Sequence, residues 1–473
     1  FLEGLVLFFA VLGPVLTFSR LLQIKEWRAD RLREHLRQKG YFSQLFGLVR
    51  PILIGLGLLT LFFIPLFPAA WEMQESWILL STYGTLAWFT LFQGTIGQRK
   101  RPVWTAKAMA VVSLSLILFL SAFPALQILP DGIIRTVLFL LLPLLSPVVI
   151  GFSLFLLSPL DRFLKRRLLR RALEKRAKYT ELTVIGITGS VGKSTTKEML
   201  AHVLQGGPPG GEKEWKVLLT PAHVNTELGV ADVLLRSLKK DHTHLVVEMG
   251  AYRKGEIALL ASLALPQIGI TTFVGDQHIG LFGSREELLR AKGELFASLP
   301  PEGHAFLNAD SEGASAIAER AGCPVITVGT GGHANFEAFD IVEESDGISF
   351  TLRGIPFRIP LHGTHQVANV LLVTAAAEEL GIPIEETARR LQTFHGLPQT
   401  FEKKLGKHGQ VVLDDTHNAS SASFRAAIEW ARMYPAERKV LVTSGLIELG
   451  GAERLFCEEL GNASREIFQE VIF

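Results

Sequence analysis

The chain contains a glycine-bounded turn of the kind that binds phosphate. In "VIGITGSVGKSTTKEML" a β-branched run is followed by Gly189 and Gly192, and then by a helical pattern that begins with Lys193 and Ser194. Glycines let backbone amides turn toward a phosphate at the N-terminus of a helix, where the helix dipole also favours an anion. In such a loop the lysine reaches the outer phosphates and the serine hydroxyl binds Mg2+. The stretch therefore predicts a nucleotide site, although the strict P-loop pattern requires glycine where Ile187 stands.

Three further side chains with suitable chemistry follow predicted strands. "HLVVEMGA" is a buried strand that ends in Glu248, and a third strand leads to a loop with His278 and a helix with Lys292. A carboxylate at the carboxyl end of a strand beside the phosphate loop is suited to bind a metal or to position water. Each residue taken singly is equally consistent with a polar surface position. Only their order and spacing, taken together with the phosphate turn, favour a role at the nucleotide site.

Seven ordered motifs resemble those of the Mur ligases. They are "TGSVGKSTTKEM", "NTELGV", "EMGAYRKGEIALL", "QHIGLFGSREELLRAKGEL", "LNAD", "GTHQVANVLLVTAAAEELGI" and "LDDTHNAS". The resemblance is greatest to the MurF type, the UDP-N-acetylmuramoyl-tripeptide:D-alanyl-D-alanine ligases, and it covers about residues 184–473. It implies a P-loop α/β central domain with a mostly parallel sheet, here residues 181–396, and a Rossmann-like α/β C-terminal domain, here a partial one at residues 397–473. It also implies an ATP-dependent ligase that uses Mg2+ and forms an amide bond through an acyl phosphate in peptidoglycan or cell-envelope precursor synthesis.

The resemblance assigns roles to individual residues. Catalytic roles are implied for Lys193, Glu248, His278 and Lys292. Metal ligation is implied for Ser194, Glu248, His278 and Lys292, the last as a carbamate, because a carbamylated lysine is an anion that can bind metal. Nucleotide contacts are implied for Thr188, Gly189, Ser190, Gly192, Lys193, Ser194, Thr195, Asn308, Asp415 and Asn418. Substrate contacts are implied for Asn225, Thr226, His365 and Asn369.

The chain departs from the family pattern near its carboxyl end. Gln366 stands where asparagine is usual, and Thr400 stands where the spacing from Asp414 predicts the family arginine. Only residues 398–473 follow Leu397, fewer than the family C-terminal domain has. Since the sequence also opens without Met, we expect both ends to be cut.

The residues before the phosphate loop are strongly apolar. The mean hydropathy of the whole chain is +0.29, and the excess lies before about residue 158. Nearly uncharged runs occupy about residues 2–18, 45–69, 77–96, 108–129 and 133–157. Each has the length that crosses a bilayer and none shows a polar face, which favours membrane spans over buried core helices. The pattern predicts a membrane domain of about five transmembrane helices at residues 1–157.

Basic residues predict the orientation of these spans. The first and third connections are rich in Lys and Arg, whereas "WEMQES" and "PDG" contain neither, so the basic connections are expected on the cytoplasmic side. The basic stretch at residues 158–180 then places the downstream domains in the cytoplasm, at a bacterial cytoplasmic membrane. Its leucines have helical spacing. It is therefore either an interfacial helix held by anionic lipid or a flank that only fixes topology.

These features together predict a membrane-anchored ligase that joins a carboxylate acceptor to the amine of an amino acid or dipeptide. MurF enzymes begin with a soluble domain that binds the UDP end of the substrate, and here the membrane domain takes its place. The acceptor is then a muropeptide, with a lipid-linked one as an alternative; no nucleic acid partner is expected. A poly-γ-glutamate-type capsule ligase stays open, as does a catalytically weak nucleotide-binding membrane module. A transport ATPase is disfavoured because the "LSGGQ" signature is absent.

Overall fold

The computed structural model forms two compact units, Phe1–Leu164 and Lys165–Phe473. It describes residues 2–47, 49–61, 71–95, 101–130, 132–222, 224–275, 282–344, 346–417, 419, 421–445 and 453–472.

The first unit is helical, and most of its helices lie in long apolar runs of the sequence. Its helices are α1 (Leu2–Ile24), α2 (Ala29–Lys39), α3 (Tyr41–Leu45), α4 (Val49–Thr60), α5 (Trp71–Thr95), α6 (Ala106–Gln127), α7 (Ile133–Leu141) and α8 (Ser146–Arg176), with a 3-10 turn at Leu142–Leu145. Apolar side chains of α1, α4, α5, α6 and α7 form one buried cluster. Helix α8 includes residues of both units.

Three helical stretches are long and apolar enough to cross a membrane. They are Leu2–Ile24, Ala106–Gln127 and Ile133–Arg176, and a helix needs about 20 apolar residues for this because the hydrocarbon core is about 30 Å thick. They correspond to the first, fourth and fifth predicted spans. The second predicted span includes residues 62–69, which lie outside the described residues, and the third corresponds to α5. Five spans and the membrane domain itself remain a prediction.

The first unit also contains an ion pair between the predicted connection "WEMQES" and the predicted span at residues 133–157. Arg135, in α7, donates to both carboxylate oxygens of Glu75, in α5, with Nη2 to Oε2 at 2.5 Å and Nε to Oε1 at 3.2 Å. Glu75 is buried. Pairing and two parallel hydrogen bonds make such a burial of charge tolerable. This contact was not predicted from the sequence.

The second unit is built on a nine-stranded mixed sheet. Its strands are β1 (Thr183–Thr188), β2 (Val217–Leu219), β3 (His244–Glu248), β4 (Ile268–Thr271), β5 (His304–Asn308), β6 (Val325–Gly329), β7 (Phe336–Glu344), β8 (Gly347–Leu352) and β9 (Ile355–Ile359). The order is β2-β3-β1-β4-β5-β6-β7-β8-β9; the pairs from β2 to β7 in this order are parallel, and β7, β8 and β9 pair antiparallel. A sheet with mostly parallel pairs in an α/β unit agrees with the predicted fold class.

Helices cover both faces of this sheet. In the central part they are α9 (Lys193–Leu204), α10 (Glu227–Arg236), α11 (Glu256–Ala264), α12 (Arg285–Lys292), α13 (Glu294–Ala297), α14 (Ala314–Ala318), α15 (Gln366–Glu379) and α16 (Ile384–Leu391). Successive side chains of a strand point to opposite faces. Accordingly Ile185 and Ile187 of β1 join the buried cluster that contains α9 and α15, whereas Val184 joins the cluster that contains α10 and α11. The all-apolar strands follow from this burial on two sides.

The residues after about 400 form smaller elements. They are the antiparallel pair β10 (Glu402–Leu405) and β11 (Val411–Asp414), helices α17 (Ser421–Met433) and α18 (Glu453–Arg465), and the parallel pair β12 (Val440–Val442) and β13 (Glu470–Ile472). A parallel strand pair with helices is an α/β arrangement, and the Rossmann-like assignment stays a prediction.

The last turn of α8 packs within the second unit through two basic residues. Lys175 Nζ donates to Leu235 O and Leu238 O, at 3.0 and 2.8 Å, and Arg176 Nε donates to Ala264 O at 2.8 Å. These carbonyls lie at the C-terminal ends of α10 and α11, where helices leave acceptors without intrahelical partners. Part of the basic stretch therefore binds protein, a role that neither interpretation of its sequence had included.

Candidate functional site

The glycine turn connects β1 to α9 and lies against the end of β4. Thr272 Oγ1 donates to Val191 O at 2.6 Å, and Ser190 N and Val191 N both donate to Phe273 O, at 2.9 and 3.2 Å. The turn is therefore held by hydrogen bonds to the two residues that follow the neighbouring parallel strand β4. Strand β1 also lies between β3 and β4, where chain connections leave in opposite directions, which is the place where open α/β sheets bind ligands.

Two glycines are required for this approach. Gly189 has φ +140°, and a Cβ there would lie 2.0 Å from Thr272 Oγ1. Gly192 has φ +88°, and a Cβ there would lie 2.5 Å from Asn369 Oδ1. Left-handed backbone conformations already favour glycine. The loop thus touches Asn369 of α15, which brings one residue predicted to bind substrate to the phosphate loop.

A carboxylate network lies beside the turn at the carboxyl end of β3. The parallel register aligns Ile187 of β1 with Glu248 of β3. Ser194 Oγ donates to Glu248 Oε2 at 2.8 Å, and Asn225 Nδ2 donates to Glu248 Oε1 at 3.1 Å. Glu248 is only 2% exposed. The structure thus brings together three residues that the resemblance had named for metal and substrate.

One charged member of this network was not predicted from the sequence. Lys197 is fully buried; its Nζ donates to Thr220 O at 2.7 Å and lies 3.3 Å from Glu198 Oε1 and 3.8 Å from Glu248 Oε2. Thr220 Oγ1 in turn accepts from Glu248 N at 3.1 Å. The spacing places Lys197 on the same helix face as Lys193, since residues four apart share one face. A lysine within a helix is ordinarily exposed, however, so the spacing alone does not predict the burial of Lys197 or its contact with Glu248.

Lys193 occupies the first position of α9. Its Nζ donates to Ser190 O at 2.8 Å, within the turn. Burial lowers the pKa of Lys193, and the nearby Glu248 carboxylate opposes that shift. A phosphate group at the loop would favour the charged form further.

Lys292 ends α12 and is buried, 3% exposed. Burial, assisted by the positive charge of Lys193, lowers the pKa of Lys292 to about 7, although Glu256 and Glu294 oppose the shift. Within the described residues Lys292 forms no salt bridge. The carboxylate of Glu294 instead accepts hydrogen bonds from Gly255 N and Ala258 N, at 2.6 and 3.1 Å. A lysine whose amine is substantially neutral near pH 7 can react with carbon dioxide.

The other predicted nucleotide contacts of the central region lie at strand and helix ends. Thr188 Oγ1 donates to Met249 O at 3.0 Å, and Thr195 is buried in the first turn of α9. Asn308, at the end of β5, accepts from Asp310 N at 2.9 Å. Thr226, predicted to contact substrate, is the residue before α10. His278 lies outside the described residues, so its place at the site is a prediction.

His365 and Asn369 lie at the start of α15. Asn369 Nδ2 donates to Gln366 Oε1 at 2.9 Å, so the unusual Gln366 orients the side chain that touches Gly192. The His365 ring packs edge-on against Phe401 with 5.1 Å between centroids. Burial lowers the pKa of His365 to about 4, and within the described residues its buried Nδ1 has no hydrogen-bond partner. His365 is therefore neutral at pH 7.

Asp415 also contacts Phe401. Its Oδ1 accepts from Phe401 N at 3.1 Å. Burial raises the pKa of Asp415, while hydrogen bonds from Ser423 and Phe401 N oppose that shift. Thr400 lies in the preceding turn, where its Oγ1 donates to Pro398 O at 3.4 Å. Asn418 lies outside the described residues.

The residues at Glu248 fit a magnesium ion. Mg2+ prefers hard oxygen ligands and binds through one or two carboxylates together with substrate phosphates. The Ser194 hydroxyl and the Glu248 carboxylate supply such oxygens, and the hydrogen bond between them shows that the two groups are adjacent. No group of three or more His, Cys, Asp or Glu side chains able to hold a metal occurs among the described residues. The remaining metal ligands would have to come from the phosphate groups, from water, from His278 or from a carbamylated Lys292.

One comparison with known proteins falls within this second unit. The family model "Mur ligase middle domain" matches residues 187–377. Among curated proteins, the chain is 36% identical over 289 residues to the UDP-N-acetylmuramoyl-tripeptide--D-alanyl-D-alanine ligase of Synechocystis, and 32% identical over 281 residues to that of Bacillus subtilis. The matches cover 60% and 59% of this chain. The chain spans about 60% of the length of these curated relatives.

Solved structures give the same result. The chain is similar to MurF of Acinetobacter baumannii, with a TM-score of 0.59 and 28% identity over 65% of this chain and 66% of that one. It is also similar to the MurF ligase of Thermotoga maritima in complex with ADP, with a TM-score of 0.58 and 27% identity over 65% of this chain and 70% of that one.

Proposed function

We propose that this protein is a membrane-anchored, ATP-dependent MurF-type ligase of cell-envelope precursor synthesis. The proposal starts from the match of residues 187–377 to the Mur ligase middle domain and from the similarity of the chain to MurF ligases. The observation that carries the proposal is the pair of hydrogen bonds from Ser194 and Asn225 to the buried carboxylate of Glu248, beside the glycine turn. The ADP complex of the Thermotoga maritima relative supports ATP as the nucleotide.

The proposed reaction has two steps. An oxygen of the acceptor carboxylate attacks the γ-phosphorus of ATP, the bond to the β,γ-bridging oxygen breaks, and an acyl phosphate and ADP result. The incoming amine then attacks the acyl carbon, loses a proton, and displaces inorganic phosphate. An acyl phosphate is needed because a carboxylate itself is a poor electrophile.

The chain's residues stabilise charge in the first step. Lys193, at the helix N-terminus, would move from Ser190 O to the transferred phosphoryl group, where a fixed positive charge stabilises the transition state. Mg2+, held by Ser194 and Glu248, would reduce the repulsion between an anionic carboxylate and an anionic phosphate when bound. Asn225 fixes the rotamer of Glu248 through its hydrogen bond. Exclusion of water by the C-terminal residues around Asp415 would protect the acyl phosphate.

Lys292 is proposed as a carbamate. Its burial and lowered pKa supply the neutral amine that such a modification needs, and a carbamate would place a negative charge where the ammonium of Lys193 is near.

The helical first unit is proposed as a membrane anchor. Two of the three stretches able to cross a bilayer lie entirely within it, and the third, Ile133–Arg176, begins there. The basic stretch that follows favours a cytoplasmic location for the ligase region. An anchored enzyme can meet an acceptor at the membrane, which makes a lipid-linked muropeptide a candidate beside the UDP-linked one.

The test uses the full chain purified in detergent with ATP and Mg2+. UDP-linked or lipid-linked muropeptide is supplied with D-Ala-D-Ala or glutamate, phosphate release is measured, and products are identified by mass spectrometry. We expect phosphate release only when acceptor and amine are both present. Lys193→Met should abolish it, whereas the exposed Lys216→Met should not.

The outcomes separate the candidate functions. A product with D-Ala-D-Ala supports the MurF type, and one with glutamate alone supports a capsule-type ligase. Nucleotide binding without any product, across all pairs, would replace the ligase proposal by a nucleotide-binding membrane module.

A further inference from the structure

Lys197 is a completely buried charge near the proposed metal site. Its side chain is 0% exposed, and its Nζ is fixed by Thr220 O at 2.7 Å. Burial of an ammonium is costly unless it is hydrogen-bonded and paired. The carboxylates that face it are Glu198 and Glu248, at 3.3 and 3.8 Å.

The two carboxylates are not equivalent. Glu198 is 29% exposed, so water can solvate it, whereas the side chain of Glu248 is 3% exposed. Glu248 receives one neutral donor on each oxygen, from Ser194 and Asn225. In surroundings of low dielectric, an opposite charge at this distance balances much of its negative charge. Lys197 is thus a built-in counter-ion of Glu248.

This balance has a consequence for metal binding. A free divalent cation would meet a site where the attraction of Glu248 is largely cancelled by Lys197 and further opposed by Lys193. A nucleotide brings anionic phosphate oxygens, which supply the missing negative charge and further ligands.

We infer that Lys197 is a positioning residue that holds Glu248 in place and makes tight divalent-metal binding conditional on bound nucleotide. The inference rests on the proposed function, because it takes Ser194 and Glu248 as the metal ligands. Lys197 itself touches neither metal nor substrate. Its spacing places it on the face of α9 that carries Lys193, one turn deeper.

The experiment measures Mn2+ binding to the full chain in detergent by the EPR signal of free Mn2+, with and without ADP. Lys197→Met keeps the length of the side chain and removes its charge, Lys197→Arg keeps the charge, and the exposed Lys216→Met is the control. Without ADP, we expect Lys197→Met to bind Mn2+ at least about tenfold more tightly than the wild type. Lys197→Arg and Lys216→Met should stay within about threefold of it. ADP should tighten Mn2+ binding at least about tenfold in the wild type and much less in Lys197→Met.

A purely structural role would give a different result. Lys197→Met would then lower the melting temperature without changing Mn2+ affinity, which overturns the inference. If Lys197→Met does not fold, the wild type still decides, because tight Mn2+ binding in the absence of ADP contradicts the inference. Absence of Mn2+ binding to the wild type even with ADP would instead contradict the proposed metal site, so the two failures are distinguishable.

Discussion

The two sides of the candidate site differ in how strongly they are held. On the side of the central sheet, Glu248, Lys292 and Asn369 are at most 4% exposed, and Glu248 is fixed by hydrogen bonds from two other segments. On the carboxyl-terminal side, Asp415 is less buried, its Oδ1 is held by the amide of Phe401, and the strands of the β10–β11 pair are partly or fully exposed.

This difference in rigidity is what we expect if one side stabilises the transition state and the other contacts the nucleotide. Groups that stabilise charge in a transition state act best when they are already oriented in surroundings of low dielectric. Groups that contact a nucleotide during closure need less rigidity, because binding itself orders them. We therefore expect substitutions on the sheet side to lower kcat, and those on the carboxyl-terminal side to raise KM for ATP.

The two sides are linked through α15. Asp415 holds the amide of Phe401, the Phe401 ring packs on His365, and Asn369, one turn along the helix, touches Gly192. Nucleotide binding on one side can thus influence the other through packed side chains.

The largest effect is expected for Lys193→Met. Loss of the charge at the helix N-terminus should reduce kcat about 1,000-fold, since one oriented charge-stabilising donor contributes on that order. Steady-state phosphate release measures it, with Lys216→Met as the control. If the substitution raises KM for ATP and leaves kcat unchanged, Lys193 contributes to ATP binding only. The two sides of the site would then no longer differ in whether they affect kcat or KM.

Glu248→Gln should reduce kcat about 100-fold. The amide has nearly the same shape as the carboxylate but lacks the charge that a magnesium ligand needs. Mn2+ affinity in the presence of ADP should fall in parallel. If Mn2+ affinity is unchanged, Glu248 does not bind the metal, and its role is to hold the side chains of Asn225 and Ser194 in place.

Lys292→Ala should reduce kcat about 10- to 100-fold, with partial recovery on addition of short-chain carboxylic acids. The proposed carbamate also predicts a pH dependence. Only the neutral amine reacts with carbon dioxide, giving a carbamate and a proton, and the pKa of Lys292 is lowered to about 7. With 13C-bicarbonate, a carbamate signal should therefore grow as the pH rises through that pKa. Its absence, with full activity of Lys292→Ala, would disprove the modification.

The smallest effect is expected for Asp415→Asn. It should raise KM for ATP by about tenfold or less and change kcat little, because one hydrogen bond to a charged group is lost. Isothermal titration with ADP and steady-state kinetics measure the two quantities. A fall in kcat as large as that of Glu248→Gln would show that the carboxyl-terminal side shares in the chemistry.

The sequence was most informative where chemistry requires particular residue types. Gly189, Gly192 and Ser194 could be predicted to lie together because a phosphate turn allows few alternatives, and the apolar strands of an α/β sheet are recognisable from their runs. Lys197 could not be predicted to join Glu248, because a lysine within a helix is ordinarily exposed and its burial depends on the register of β1 with β3.

Contacts between distant segments could not be predicted from the sequence either. The basic stretch before the ligase region looked uniform, yet Lys175 and Arg176 bind helix carbonyls while Arg166 and Arg167 are exposed. Which basic residues meet protein depends on the packing of α10 and α11. The pair of Glu75 with Arg135 is a further case, since 60 residues separate its members.

Transfer of oxygen from acceptor to phosphate tests the central claim most directly. An acceptor whose carboxylate carries 18O in both positions is incubated with ATP, Mg2+ and the amine, and the released phosphate is analysed by mass spectrometry. Attack of the carboxylate on the γ-phosphorus predicts one 18O atom in each phosphate released and one in the amide product. Amide formation with unlabelled phosphate would contradict the acyl-phosphate route and the roles proposed for Lys193 and Glu248.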